Sequence, residues 1–123
     1  MTYYNNMKSL TIKVNEFISC NKGITPDEGK IIYDKLINAF SEGAKVVLDF
    51  SNVEMMTTAF LNVAIGNLYK TYKSEQLKEM LKFEKVSEMT AFRIKKVTDN
   101  AKEFYKNQEE FSQNVKEVLD ENN

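Results

Sequence analysis

The chain has 123 residues, 42% of them hydrophobic and 28% charged, which is ordinary for one globular domain with its own core. Its 17 basic and 18 acidic residues nearly cancel, so no overall charge attracts it to nucleic acid or a membrane surface. No apolar stretch approaches the roughly 20 residues that cross a bilayer, and the opening MTYYNNMKSL lacks the plan of a signal peptide. We expect a single domain, residues 1–123, with neither nucleic acid nor membrane as partner.

Missing residue types narrow the chemistry further. There is no histidine, which removes the commonest general base and the commonest zinc ligand. Cys20 is the only cysteine, so no intramolecular disulfide forms and a reducing cytoplasm is the predicted location. The four glycines match neither familiar phosphate-binding motif. We therefore expect no enzyme, no metal and no cofactor.

The first predicted element is a strand. Leu10, Ile12 and Val14 alternate with polar residues, the period of a strand with one buried face. Residues 1–18 are also long enough to contribute an additional antiparallel strand.

A helix is predicted next, over about residues 26–42. Thr25, Pro26 and Glu28 combine an N-cap, a first-turn proline and a capping box. Apolar residues then recur at helical spacing. Gly43 follows in the place of a C-terminal cap.

The apolar run at residues 46–50 is typical of a short central strand buried on both faces. Asp49 lies near its end, where parallel sheets usually bind ligands. After a loop, apolar residues from Phe60 to Tyr72 cover most of a helical circumference. They predict a largely buried helix that starts near Thr58.

The remaining elements complete an alternating pattern. Leu81 and Phe83 indicate a third strand, residues 89–105 a third helix, and residues 108–120 a short last helix. Alternating strands and helices require right-handed crossovers between parallel strands. The fold class is therefore a small layered α/β domain, with a mostly parallel or mixed sheet packed by helices.

The segment VVLDFSNVEMMTTAFLN, residues 46–62, resembles the middle of a STAS domain, the fold of bacterial anti-sigma factor antagonists. In that family a central strand ends in an acidic or amide residue, and after a loop an Asp-Ser-Ser-Gly-type motif opens a buried helix. The chain more closely resembles a STAS-like family of unknown function that is often encoded beside histidine-kinase-like ATPases. The stretches ITPDEGK, LYKTY and KFEKVSE also fit that family, so the resemblance covers about residues 9–106, the expected core.

The family motif transfers imperfectly. Counted without gaps from Asp49, the family's Asp falls on Thr57, its first Ser on Thr58, its phosphorylated Ser on Ala59 and its Gly on Phe60. The strict phosphoacceptor position thus holds a methyl group. Thr57 or Thr58 serves as acceptor only if the register shifts by one or two residues.

Two roles remain open for the paired threonines. Thr58 is expected to be the helix N-cap, which is worth about 1 kcal/mol, and either Thr58 or Thr57 is a candidate phosphoacceptor. Asp49 is expected to brace the loop by accepting backbone amides, although with Glu54 it could also supply the paired carboxylates of a hydrolase. The predicted partner-binding residues are Val53, Glu54, Met55, Met56, Thr57, Thr58 and Phe60.

The resemblance implies a non-catalytic protein-interaction module of bacterial-type signalling. Its expected partner is a histidine-kinase-like ATPase or an anti-sigma-type regulator that docks on residues 51–62. The alternative is a binding module for a small anionic ligand, a nucleotide or phosphorylated metabolite, at the N-terminus of the helix starting near Thr58. The basic residues Arg93, Lys95 and Lys96 are predicted to form a solvated helix face.

Overall fold

The computed structural model describes residues 8–121. Its main sheet has three strands, and a second sheet has two very short ones. In chain order the elements are β1 (Ser9–Lys13), a 3-10 helix (Val14–Phe17), β2 (Lys22–Gly23), α1 (Pro26–Ser41), β3 (Lys45–Asp49), β4 (Met55–Met56), α2 (Thr58–Ala64), a 3-10 helix (Gly66–Lys70), α3 (Ser74–Met80), β5 (Leu81–Glu84) and α4 (Glu88–Glu121).

Strand β3 is the centre of the main sheet, as the apolar run predicted. It pairs in parallel with β1 on one side and with β5 on the other, and Leu48 lies between Ile12 and Phe83. Residues 8–18 contain no antiparallel strand of this sheet, and the rest of the segment for which one was expected lies outside the described residues. The α/β prediction is confirmed, with a sheet that is parallel throughout its described part.

Helix α1 begins as its sequence predicted. The Thr25 hydroxyl oxygen accepts the N–H of Glu28 at 3.1 Å, and the Glu28 carboxylate accepts the N–H of Thr25 at 3.2 Å. These two bonds form the capping box and satisfy amides that have no partner within the helix. The second Glu28 oxygen accepts the N–H of Ser19 at 2.8 Å, which fastens the preceding loop to the helix. Gly43 has φ +79°, a conformation that favours glycine, just beyond the end of the helix.

Helices α1 and α2 pack closely because Gly29 has no side chain. A Cβ atom at Gly29 would lie 2.6 Å from the carbonyl oxygen of Phe60, well inside van der Waals contact. Leu36 of α1, Leu48 of β3 and Leu61 of α2 are completely buried. The close approach of the two helices fixes the position of the first turn of α2.

The prediction of one long helix from residue 58 to residue 72 is wrong for its second half. Helix α2 ends at Ala64, and Ile65 leaves helical geometry with φ −121°. Gly66, which disfavours an α-helix by about 1 kcal/mol relative to alanine, then opens a 3-10 helix. Helix α3 was not predicted, since Leu77 is its only buried residue and gives no helical repeat.

The separate helices predicted at residues 89–105 and 108–120 are also wrong at their junction. Helix α4 runs without a break from Glu88 to Glu121. No glycine or proline occurs in that segment, so no residue there interrupts the helix. No helix within the described part of the chain is both long and apolar enough to span a membrane.

Candidate functional site

Asp49 shapes the first turn after the central strand. Its carboxylate accepts the Ser51 hydroxyl and, at 2.8 Å, the Ser51 N–H. These two bonds, assisted by the positive charges of Lys85 and Lys13, hold the pKa of Asp49 below its ordinary value although desolvation opposes them. The next residue, Asn52, takes the left-handed conformation at φ +60°. Asp49 thus occupies the position and accepts the bonds that a bracing role requires.

The loop after Asp49 is tied to the segment that precedes α1. Strand β4 pairs in parallel with β2, so that Met56 lies opposite Gly23. On either side of this pairing, the Glu54 N–H donates to the Asn21 carbonyl at 2.8 Å and the Thr57 N–H donates to the Gly23 carbonyl at 2.9 Å. Sequence patterning could not reveal this sheet, because two-residue strands are too short to alternate.

Thr57, not Thr58, caps helix α2. The Thr57 hydroxyl oxygen accepts the N–H of Phe60 at 3.1 Å, and the same hydroxyl donates to the Ile24 carbonyl at 2.7 Å. Thr57 is extended, at φ −84° and ψ 159°, whereas Thr58 is the first helical residue. The expected N-cap was therefore misplaced by one residue, because neighbouring threonines are equivalent capping candidates until the backbone is known.

Arg93 supports this loop, although its charged neighbours in the sequence predicted a solvated helix face. Its guanidinium donates a hydrogen bond to the carbonyl oxygen of Met56, and its side chain is half-buried. The helical spacing indicates that Arg93 faces the domain, since it lies three residues after Thr90 and four before Val97 and both of these are buried. Lys95 is exposed and pairs with an acidic residue on its own helix, as a solvated face predicts.

Not all the predicted contact residues lie at the surface. Phe60 and Met56 are each 1% exposed, so their assignment to a partner-binding surface is wrong. Both pack beneath β2, where a Cβ atom at Gly23 would lie about 3 Å from each side chain. Of the other predicted contact residues, Glu54, Met55 and Thr58 are exposed, and Val53 and Thr57 are half-buried.

The exposed residues around Thr57 form an apolar surface with one available hydroxyl. Met55 is 40% exposed and precedes Thr57 by two residues, and Ile24, whose carbonyl accepts the Thr57 hydroxyl, is 42% exposed. Thr58 and Ala59 are exposed on the first turn of α2. Within residues 8–121 no hydrogen bond uses the Thr58 hydroxyl. We call Ile24, Met55, Thr58 and Ala59 the outer surface.

The geometry favours neither of the other site predictions. Helix α2 has only seven residues, and the Thr57 hydroxyl already occupies the amide of Phe60, which leaves little for an anion to bind. Two open clefts, of about 910 and 430 Å³, are lined by other segments.

As for paired carboxylates, Asp49 is committed to Ser51, and Glu54 is an exposed residue that forms no such pair among the described contacts. No group of three or more potential metal ligands occurs between residues 8 and 121.

Comparison with known proteins identifies the family of this region. A family model described as a STAS-like domain of unknown function (DUF4325) matches residues 28–91, just over half of the chain. The match begins in α1, includes the loop and all of α2, and ends in the first turn of α4. Comparisons with curated proteins and with solved structures each found no match.

Proposed function

This chain belongs to the STAS-like domain family of unknown function, and from that membership we propose that it is a non-catalytic interaction module of a bacterial-type signalling circuit in the cytoplasm. Its partner is a histidine-kinase-like ATPase or an anti-sigma-type regulator. The partner docks on the outer surface, next to the loop that joins β3 to α2.

The observation that carries this proposal is an exposed apolar surface beside a loop that is held from several sides. The pairing of β4 with β2 and the hydrogen bonds of Glu54, Thr57 and Arg93 fix the loop backbone before any partner arrives. A preorganised surface loses little conformational entropy on binding. The flexible Met55 side chain can adapt to an apolar partner surface.

Of the two threonines, Thr58 is the better candidate for a phosphorylation switch. The Thr57 hydroxyl is used both as donor and as acceptor, so its modification would break the helix cap. A phosphate on exposed Thr58 adds −1.5 to −2 charges at roughly neutral pH. The first turn of a helix tolerates negative charge, whereas an apolar contact at Met55 does not. Phosphorylation of Thr58 would therefore weaken docking and leave the fold intact.

Binding is tested by calorimetry with the purified histidine-kinase-like ATPase encoded nearest to this chain's gene. We expect Met55→Glu to weaken binding by at least about tenfold, because it places a charge in an apolar contact. Met89→Glu is the matched control, since Met89 is 66% exposed on α4 and lies outside the outer surface. Equal affinities of both variants and the unchanged chain would refute docking at this surface.

The switch is tested separately by incubation with the same ATPase and ATP, followed by mass spectrometry of the peptide that contains Thr57 and Thr58. We expect one phosphate, and its loss in Thr58→Ala but not in Thr57→Ser. A peptide that stays unmodified while the kinase phosphorylates a known substrate would eliminate the switch.

A further inference from the structure

The second half of α4 extends away from the domain. Its first half is anchored by Ile94 and Val97, which are 6% and 2% exposed. By contrast, every side chain from residue 106 to residue 113 is exposed. These eight residues span about 12 Å of helix at 1.5 Å per residue, and the helix continues to Glu121.

A seam of mostly apolar residues runs along this helix at alternating intervals of three and four residues. Its members in the described part are Ile94, Val97, Ala101, Phe104, Gln108 and Phe111. In the sequence the same spacing continues to Val115 and Val118. Such a 3.5-residue period, sustained over more than three heptads, is typical of helices that pair side by side.

The domain itself covers only the first part of this seam. Gly66 lies against it there, since a Cβ atom at Gly66 would be in ordinary van der Waals contact, 3.4 Å from Val97 and 3.8 Å from Ala101. Further along, Phe104 is 58% and Phe111 69% exposed. Two phenylalanines in register with a buried seam and open to solvent indicate a missing helical partner.

We propose that a second copy of this chain covers the seam, so that the two α4 helices pair across Phe104 and Phe111. The charge pattern selects this occupant. From Val97 onward the positions that flank the seam are occupied by uncharged residues, namely Thr98, Asn100, Tyr105, Asn107 and Ser112. The charged side chains lie at the outward positions, namely Lys102, Glu103, Lys106, Glu109 and Glu110.

Uncharged flanks favour self-pairing for a simple reason. Flanking charges usually set partner choice, because opposite charges attract a different helix and like charges repel an identical one. Here the flanking positions place no like charges opposite each other when two copies pair. They also offer no charge that would form a salt bridge with the helix of a different protein. Gln108, the one polar residue of the exposed seam, can donate to and accept from the same amide of its copy. The seam is thus complementary to itself.

The experiment is sedimentation equilibrium of the full chain from about 1 to 500 µM, a range that brackets micromolar dissociation constants. We expect a monomer–dimer equilibrium. Phe111→Glu should raise the dissociation constant at least about 100-fold, because each dimer gains two charges in its apolar contact. Phe111→Leu should retain the dimer. Phe92→Glu is the matched control, since Phe92 is 68% exposed but points away from the seam.

Thermal unfolding shows whether each variant remains folded, and Phe104→Glu provides a second, independent break of the seam. A chain that is monomeric over the whole range would overturn the proposal and leave the seam to a different protein. A dimer that Phe111→Glu and Phe104→Glu leave intact would overturn it as well. Neither result depends on docking at the outer surface, because no residue of that surface is changed.

Discussion

The guanidinium of Arg93 donates a hydrogen bond to the carbonyl oxygen of Met56, across 37 positions of sequence. This bond joins the second turn of α4 to the short strand β4. The loop that carries the outer surface is therefore held by helix α4 as well as by strand β2. A residue on a helix otherwise rich in solvated charges thus supports the candidate docking site.

Replacing Arg93 tests that support. Arg93→Leu leaves the carbonyl of the buried Met56 without its donor, and we expect a loss of about 1–3 kcal/mol in the free energy of unfolding. Urea denaturation measures this loss. Lys96→Leu is the matched control, because Lys96 is exposed on the same helix and surface changes usually stay within about 0.5 kcal/mol. Similar losses in the two variants would contradict the role given to Arg93.

Gly29 provides a test of the contact between α1 and α2. Alanine is the better helix former by about 1 kcal/mol, so Gly29→Ala should stabilise an isolated α1. In the protein the new Cβ would meet the Phe60 carbonyl oxygen at 2.6 Å, and the strain of separating two packed helices is about 1–3 kcal/mol.

We therefore expect Gly29→Ala to lower the unfolding free energy overall, measured by urea denaturation. Gly66→Ala is the control, since its Cβ would come no closer than 3.4 Å to a neighbouring atom. A Gly29→Ala variant that is as stable as the unchanged chain would show that α1 and α2 do not pack this closely.

The identity of the helix cap distinguishes the two threonines. Thr57→Ala removes the acceptor for the Phe60 amide and the donor to Ile24, and we expect a loss of about 1–2 kcal/mol. Thr57→Ser keeps the hydroxyl and should retain most of the unfolding free energy that Thr57→Ala loses. Thr58→Ala should change the unfolding free energy by less than about 0.5 kcal/mol. Chemical denaturation measures these losses. A larger loss in Thr58→Ala than in Thr57→Ala would show that Thr58 is the cap.

Asp49 makes the stability of the protein depend on acid pH. Because hydrogen bonds from Ser51 hold its folded-state pKa below the ordinary value of 3.8, folding favours the carboxylate. Its contribution is complete above that value and is lost as the pH falls through the depressed pKa of the folded state. We expect the stability difference between the unchanged chain and Asp49→Asn to shrink between about pH 5 and pH 2.

NMR titration of the Asp49 carboxyl group checks the cause. Ser51→Ala removes one of the two bonds to the carboxylate, so the pKa of Asp49 should rise toward its ordinary value. An unchanged pKa in Ser51→Ala would show that the hydroxyl bond does not cause the shift, which would then come from the Ser51 N–H and the neighbouring lysines.

Local patterns predicted a large part of the fold. The capping box at Thr25 and Glu28 marked the start of α1, and the apolar run at residues 46–50 identified the central strand. These elements were predictable because residues close in sequence stabilise them. The break after Ala64 was missed, since the helical apolar pattern continues through Ile65 and Leu68 while the backbone tightens at Gly66.

The candidate site was only partly visible in sequence. Its location after Asp49 was predicted from the strand–loop–helix order together with the resemblance of residues 46–62 to a STAS domain, and this segment lies within the family match. The sequence did not predict which of its side chains face outward, and Phe60 and Met56 proved to be buried. Their burial depends on Gly23, more than thirty residues away in sequence and directly against both side chains.

The sequence by itself determined the α/β class, the mostly parallel character of the sheet and the place near Thr58 where α2 begins, because periodicity, capping and turn residues act over a few positions. Only the tertiary structure decided that Thr57 is the cap, that Arg93 supports the loop through Met56, and that Phe104 and Phe111 remain uncovered. Each of these depends on contacts between segments that are distant in sequence. A local sequence pattern does not specify which distant atoms come into contact.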